Sequence, residues 1–282
     1  MGVKATLARL AAGGPVPVFA LAGEGGRVPL QSLRLRPELA FVDSPRHARV
    51  VVVAGGLTRA LLGPALAVHD QVPAPRRAVW WPLGAEPSAL VDALPSAVRV
   101  EPGGDVVEAV TRVYRGMVQG SEPSAPPALL DVDPAPWRGL GPYGHGGMGM
   151  TGGVPYGRPL ASRAPDRDGL ELDQLSLRIG PFFPAFPPGL TLDVRLQGDV
   201  IQDAGVAPNP FTRWPGDPKM AHPGGDPFWR AVREPVPVAE LELARARHHL
   251  RWAAEALRLH GLAALGARVL AAGEQAAGGG LA

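Results

Sequence analysis

Four valines in a row, Val50 to Val53, stand in residues 48–54 (ARVVVVA) between Arg49 and the glycine pair Gly55 and Gly56. Successive side chains of a strand point to opposite faces, so a strand made of this run has no polar face to give to water. It has to be covered on both sides, which is the situation of an inner strand of a parallel sheet with helices above and below it. The rest of the first half must be compatible with that.

It is. Residues 16–21 (VPVFAL) and 78–83 (AVWWPL) are further short apolar runs bounded by Gly and Pro, and both read as strands. Between the valine run and the second of these, Thr58 to Gln71 places Leu61, Leu62, Ala65, Leu66 and Val68 at mostly helical spacing despite Pro64. Strand, helix, strand is the repeating unit of a parallel sheet. Ser88 is placed to cap a helix through Leu94, residues 97–100 read as a short strand, and Asp105 is placed to cap a helix ending near Gln119. Residues 1–119 are therefore expected to form an α/β domain, a doubly wound parallel sheet.

Residues 120–169 read as a Pro/Gly-rich linker and loop. From residue 170 the pattern changes to alternation: Leu175, Leu177 and Ile179, then Leu190, Leu192, Val194 and Leu196, with polar residues between them. That predicts two antiparallel strands joined by the proline-rich turn 181–189 (PFFPAFPPG). Residues 238–270 then read as one long amphipathic helix with Leu243, Leu250 and Leu257 a heptad apart. The expectation for 170–282 is a small β-hairpin plus a long helix, and a helix of that length in so small a segment needs a partner.

The chemistry open to the chain is bounded by one absence. Its 282 residues contain no cysteine, which excludes disulfides, thiolate-bound zinc, iron-sulfur ligation through cysteine and cysteine nucleophiles. With 28 basic and 26 acidic residues and no basic cluster longer than pairs such as Arg76 and Arg77, the chain lacks the electrostatic footprint of a nucleic-acid binder. No apolar stretch reaches the about 18 residues of a membrane span, and the apolar run within MGVKATLARL is too short for a secretory signal. A cytoplasmic protein, soluble or peripheral on the inner face of the cell membrane, is expected, with no direct membrane span.

Motifs add little catalysis. Gly144, Gly146 and Gly149 satisfy a G-x-G-x-x-G count, but prolines surround them where a dinucleotide site needs a strand before and a helix after. The segment reads as a docking loop with His145 in it, and His145 with Met148 and Met150 is too poor a donor set for a metal. The carboxylate pairs Asp131/Asp133 and Asp166/Asp168 lack a third ligand and read as solvated. No nucleophile-elbow, zinc-protease or P-loop pattern occurs, so nothing in the chain is an autonomous catalyst. His248 and His249 read as interface or core-edge histidines of the last helix, and His249 lies about 16 Å from His260 along it, too far to share a metal.

Residues 41–56 (FVDSPRHARVVVVAGG), then Leu57, Thr58 and Arg59, then residues 70–76 (DQVPAPR), follow one another as a pattern. It resembles the cluster-bearing small subunit of respiratory complex I and of membrane-bound nickel-iron hydrogenases, where "SPRHAD" leads into an apolar strand, a glycine-threonine turn, a helix and "MPEPKWV". The family's N-terminal cysteine pair falls at residues 21–27 (LAGEGGR) here, its next cysteine turn at residues 79–85 (VWWPLGA), and its last at residues 100–109, with Gly104 or a neighbour at the sulfur position. Residues 178–203 are similar to the opening hairpin of the large partner subunit, whose quinone-lining histidine is replaced by Pro181, Phe182, Phe183 and Pro184, and phenylalanine has no proton to donate. Residues 239–262 are similar to a helix of that same subunit.

The resemblance implies a cluster-free small-subunit fold joined to a piece of the large one. It implies a non-catalytic structural or assembly subunit of a complex I-like or hydrogenase-like membrane-associated oxidoreductase, with no cofactor and with the other subunits as partners. The alternative is a redox component holding quinone or flavin in the vacated cleft, with Trp80 and Trp81 as stacking walls. Arg46, His47, Thr58, Trp80, Trp81 and Gly104 are the cleft candidates, though the favoured reading of Arg46 and His47 is a salt bridge or cap before the strand. His145, Phe182, Phe183, His248, His249, Arg251 and Trp252 are the candidates for docking a partner.

Overall fold

The computed structural model describes residues 13–83, 93–94, 96–129, 139, 141–142, 144, 161–166, 168–211 and 227–278. The helix expected from Ser88, most of the glycine-rich loop and His145 lie outside them.

The valine run is strand β3 (Val50–Ala54), buried at every position. It sits in the middle of a five-stranded, all-parallel sheet with β1 (Val16–Ala22), β2 (Leu39–Phe41), β4 (Arg77–Trp81) and β5 (Val98–Arg99), in the order β2-β1-β3-β4-β5. Alternation then sorts the side chains by face. Val16, Val18, Val50, Val52 and Val79 meet helices α1 (Arg27–Leu33) and α3 (Val106–Gln119) on one side. Phe19, Leu21, Val51, Val53 and Trp80 meet helix α2 (Arg59–Gln71) on the other. Asp105 caps α3 as its sequence position implies, its carboxylate accepting from Val107 N at 2.7 Å. Helix α1 and strand β2 are additions to the sequence reading.

The C-terminal end of α2 is fastened by a buried polar network. His69, with no exposed surface, donates from Nδ1 to Asp70 Oδ1 at 2.8 Å. The Asp70 carboxylate also accepts from Ala128 N at 2.8 Å, and Arg76 donates to the carbonyls of Asp70 and Val72. His69 Nε2 is buried without a partner among the described residues. Burial, with the Arg76 charge nearby, pushes the imidazole below its ordinary range, against the pull of Asp70. The folded state therefore binds this proton less readily than the unfolded chain, so the stability held by neutral His69 is complete above the unfolded value of about 6.5 and is lost as pH falls below it. Urea midpoints of the wild type should fall between neutral and mildly acidic pH, and His69→Gln should flatten that slope.

The second sheet is antiparallel and four-stranded, in the order β6 (Arg163–Pro165), β7 (Glu171–Ile179), β8 (Leu192–Gln197), β9 (Val200–Val206). Leu175 pairs with Leu196 and Leu177 with Val194, the register that alternation predicts. Arg178 and Asp193 pair across the polar face at 2.6 Å, as do Arg195 and Asp203 at 2.8 Å. Val194 is buried, whereas Leu175 is 57% exposed.

The expected single helix over 238–270 is two helices, α5 (Val238–Leu259) and α6 (Ala263–Gly278), after the short α4 (Pro227–Ala231). Gly261, at φ +80°, turns the chain back, a conformation in which an L side chain is strained. Gly266 lies against the backbone of Ala254, and Glu274 pairs with Arg251 at 2.9 Å, so the hairpin is antiparallel and closely packed. The partner that α5 needs is supplied by the same chain. No helix among the described residues is long and apolar enough to cross a membrane.

Compactness does not follow the division at 119 and 170. One unit comprises Met1–Ala128, Pro181–Gly189 and Pro210–Ala282, and the other Leu129–Gly180 and Leu190–Asn209. The proline-rich turn, which joins β7 to β8, and the C-terminal helices thus belong with the parallel sheet and not with the antiparallel one.

Candidate functional site

All strands of a parallel sheet end at one edge, so its C-terminal edge gathers the turns after β1, β3, β4 and β5. These turns include the three, after β1, β4 and β5, where the resemblance places thiolates. Their backbones are bonded to one another: Gly23 N donates to Ala54 O at 2.7 Å, Glu24 N to Gly56 O at 2.8 Å, and Gly55 N to Trp81 O at 2.9 Å. A Cβ on Gly23 would stand 2.5 Å from Gly56 O, one on Gly26 would overlap Ala54 O, and one on Gly55 would overlap Glu24 O. Of these, Gly23 and Gly26 lie in the segment that the resemblance assigns to the cysteine pair, and a side chain has no room at either. Without cysteine the residues do not fit a thiolate-held iron-sulfur cluster, and main chain of the turn after β3 stands where side chains on Gly23 and Gly26 would go. Among the described residues no three His, Cys, Asp or Glu side chains come together as a metal site.

The cleft candidates separate. Trp80 and Trp81 are neighbours in β4 and point to opposite faces, because the pleat alternates. They cannot wall one cleft. The Trp80 indole is buried, donates to Gly55 O at 3.1 Å and carries the Arg99 guanidinium over its ring. Arg46 and His47, expected beside the thiolate turns, lie on a single 3₁₀ turn, Pro45–His47, capped by Ser44, and are exposed. That turn precedes β3, so the length of the strand, about 13 Å at 3.3 Å per residue, separates it from the glycine edge. Thr58 precedes α2 and its hydroxyl donates to Pro210 O at 3.3 Å. Gly104 sits in the exposed turn before α3.

Two docking candidates are used up internally. Phe182 is buried among Leu57, Leu61 and Trp80, and Arg251 is paired with Glu274. Phe183, His248, His249 and Trp252 remain exposed, Trp252 donating from Nε1 to His248 Nε2 at 2.9 Å.

The concavity that does exist lies elsewhere in the same unit. A half-open cavity of about 170 Å³ lies between α1, α5 and the proline-rich turn. Helix α1 and the residue after it present Arg27, Leu30, Gln31 and Arg34, and α5 presents Trp252, Glu255, Ala256 and Leu259. Each set has the i, i+3, i+4, i+7 spacing of a single helical stripe. Phe182, Phe183 and Phe186 close it, the last two edge to face with centroids 4.9 Å apart. Gln31 donates to Glu255 Oε1 at 3.3 Å across the two stripes. Arg258 holds the frame, donating to Glu255 at 3.1 Å, to Asp43 at 3.1 Å and to Pro184 O at 2.7 Å.

Arg27 and Arg34 are placed differently. Arg27 lies over the Trp252 ring and Arg34 over Phe41, each 4.8 Å from the centroid. Burial lowers the pKa of both guanidiniums, and the Arg258 charge adds to the effect at Arg34. The sequence held the signal for this stripe, but Pro29 and the glycines before it interrupt it, and the sequence reading has no element there. No protein-family model and no curated protein matches the chain.

Proposed function

We propose that the chain is a structural subunit of a complex I-like or hydrogenase-like membrane-associated oxidoreductase assembly, built on a doubly wound small-subunit-like fold that holds no cluster. The observation that carries this reading is at the C-terminal edge of the sheet, in the turn after β1, where main chain of the turn after β3 stands against Gly23 and Gly26 in the segment that the resemblance assigns to a thiolate pair. A second observation supports it. The turn at 181–189 and helix α5, the segments similar to the large subunit, pack into the compact unit of the parallel sheet, so surfaces of two subunits are carried in one body.

The role needs no reaction at that edge. Its product is a surface, of which Phe183, His248, His249 and Trp252 are the exposed part. Purification from detergent-solubilised membranes under native conditions is expected to recover the chain with oxidoreductase and antiporter-like membrane subunits. The purified chain, treated anaerobically with iron and sulfide, is expected to gain neither cluster absorbance nor a paramagnetic signal. Recovery of the chain without partners, or appearance of a stoichiometric cluster, sinks the proposal.

A further inference from the structure

We propose that the cavity between α1, α5 and the proline-rich turn binds a small aromatic monocarboxylate, its ring among the aromatic side chains and its carboxylate on the Arg34 guanidinium. This goes beyond the assembly role and does not depend on it.

Charge carries the first part of the argument. Three guanidiniums, of Arg27, Arg34 and Arg258, stand around the cavity against two carboxylates, of Glu255 and Asp43, so one positive charge is left over. Both carboxylates are engaged by Arg258. Arg27 and Arg34 have no ion-pair or hydrogen-bond acceptor among the described residues, and each stacks on a ring, which leaves the in-plane N–H donors of the guanidinium open. A planar carboxylate is the group that such a fork receives in two parallel bonds.

Size and lining carry the second part. A cavity of about 170 Å³ is close to the volume that holds one benzene-sized ring. Phe183, Phe186 and Trp252 offer ring faces and edges for stacking, at little cost in lost side-chain freedom. A neutral ring leaves the surplus charge unanswered, and a small anion without a ring leaves the aromatic wall uncovered. Only the combination satisfies both.

Calorimetric titration of the full chain with benzoate, phenylacetate and salicylate tests this, with benzamide as the neutral shape control and acetate as the ringless one. Saturable binding of at least one aromatic acid is expected, with benzamide and acetate weaker by about tenfold or more. Arg34→Gln should weaken the acid by a similar factor and leave benzamide unchanged. Phe183→Ala, at an exposed position that the fold does not need, should weaken both. Circular dichroism and melting of each variant establish that it is folded, and Arg34→Lys, which keeps the charge but loses the two-pronged fork, serves in place of Arg34→Gln if that chain does not fold. Absence of saturable binding by all three acids, equal binding of benzamide, or unchanged affinity in a folded arginine variant overturns the proposal.

Discussion

Gly55→Ala is expected to cost the parallel-sheet unit roughly 3 kcal/mol or more, enough to leave little folded protein at physiological temperature. Two penalties fall on the same atom. Gly55 has φ +82°, where an L side chain is strained, and the added Cβ would overlap Glu24 O, a main-chain atom that cannot rotate away. Gly25→Ala separates the terms, since Gly25 has φ +72° but nothing within 4 Å of an added Cβ. It should cost about 1 kcal/mol, the left-handed penalty alone. Urea denaturation of both variants reads the difference directly. Equal losses mean that the turns after β1 and β3 are not in the close contact described, and with that the argument for a closed sheet edge fails.

Phe182→Ala is expected to cost about 3 kcal/mol, and Phe183→Ala about 1 kcal/mol. The two are adjacent in sequence and of one kind, yet Phe182 is 9% exposed within the cluster of Leu57, Leu61 and Trp80, whereas Phe183 is 44% exposed and touches Phe186. Truncating the first opens a hole under the proline-rich turn, and truncating the second forfeits one aromatic contact. Melting temperatures give the order. If the two fall equally, the turn is not anchored in the core by Phe182, and the frame of the cavity loses one of its walls.

Much of the parallel sheet was legible because its signals are local. Four adjacent valines admit few structures, and Asp105 and Thr58 mark where helices begin. The hairpin register was legible for the same reason, since alternation over Leu175 to Ile179 and Leu192 to Leu196 fixes which residues face each other. Helix α1 was not, because seven residues containing Pro29 give too short a period to detect. The break at Gly261 was missed because apolar residues such as Leu259, Leu262 and Leu265 continue on both sides of it in sequence while the chain reverses in space. The site was hidden for a different reason. Gln31 and Glu255, whose hydrogen bond joins its two walls, are 224 residues apart, and no pattern in either neighbourhood refers to the other. Trp80 and Trp81 show the converse error, in which adjacency in sequence suggested a shared cleft and the pleat put them on opposite faces.

The interleaving of the two compact units governs the order in which the protein can be made. Strand β1 and helix α1 leave the ribosome early, but Glu255, Arg258 and the turn at 181–189 that cover them are synthesised much later. Until residues through α6 have emerged, the nascent parallel sheet carries an uncovered apolar flank, the kind of surface that chaperones hold and that aggregates when they do not. Chains truncated after α3, where the parallel sheet is already complete in sequence, are for this reason expected to be recovered as aggregates, and chains that extend through α6 are expected to escape that fate.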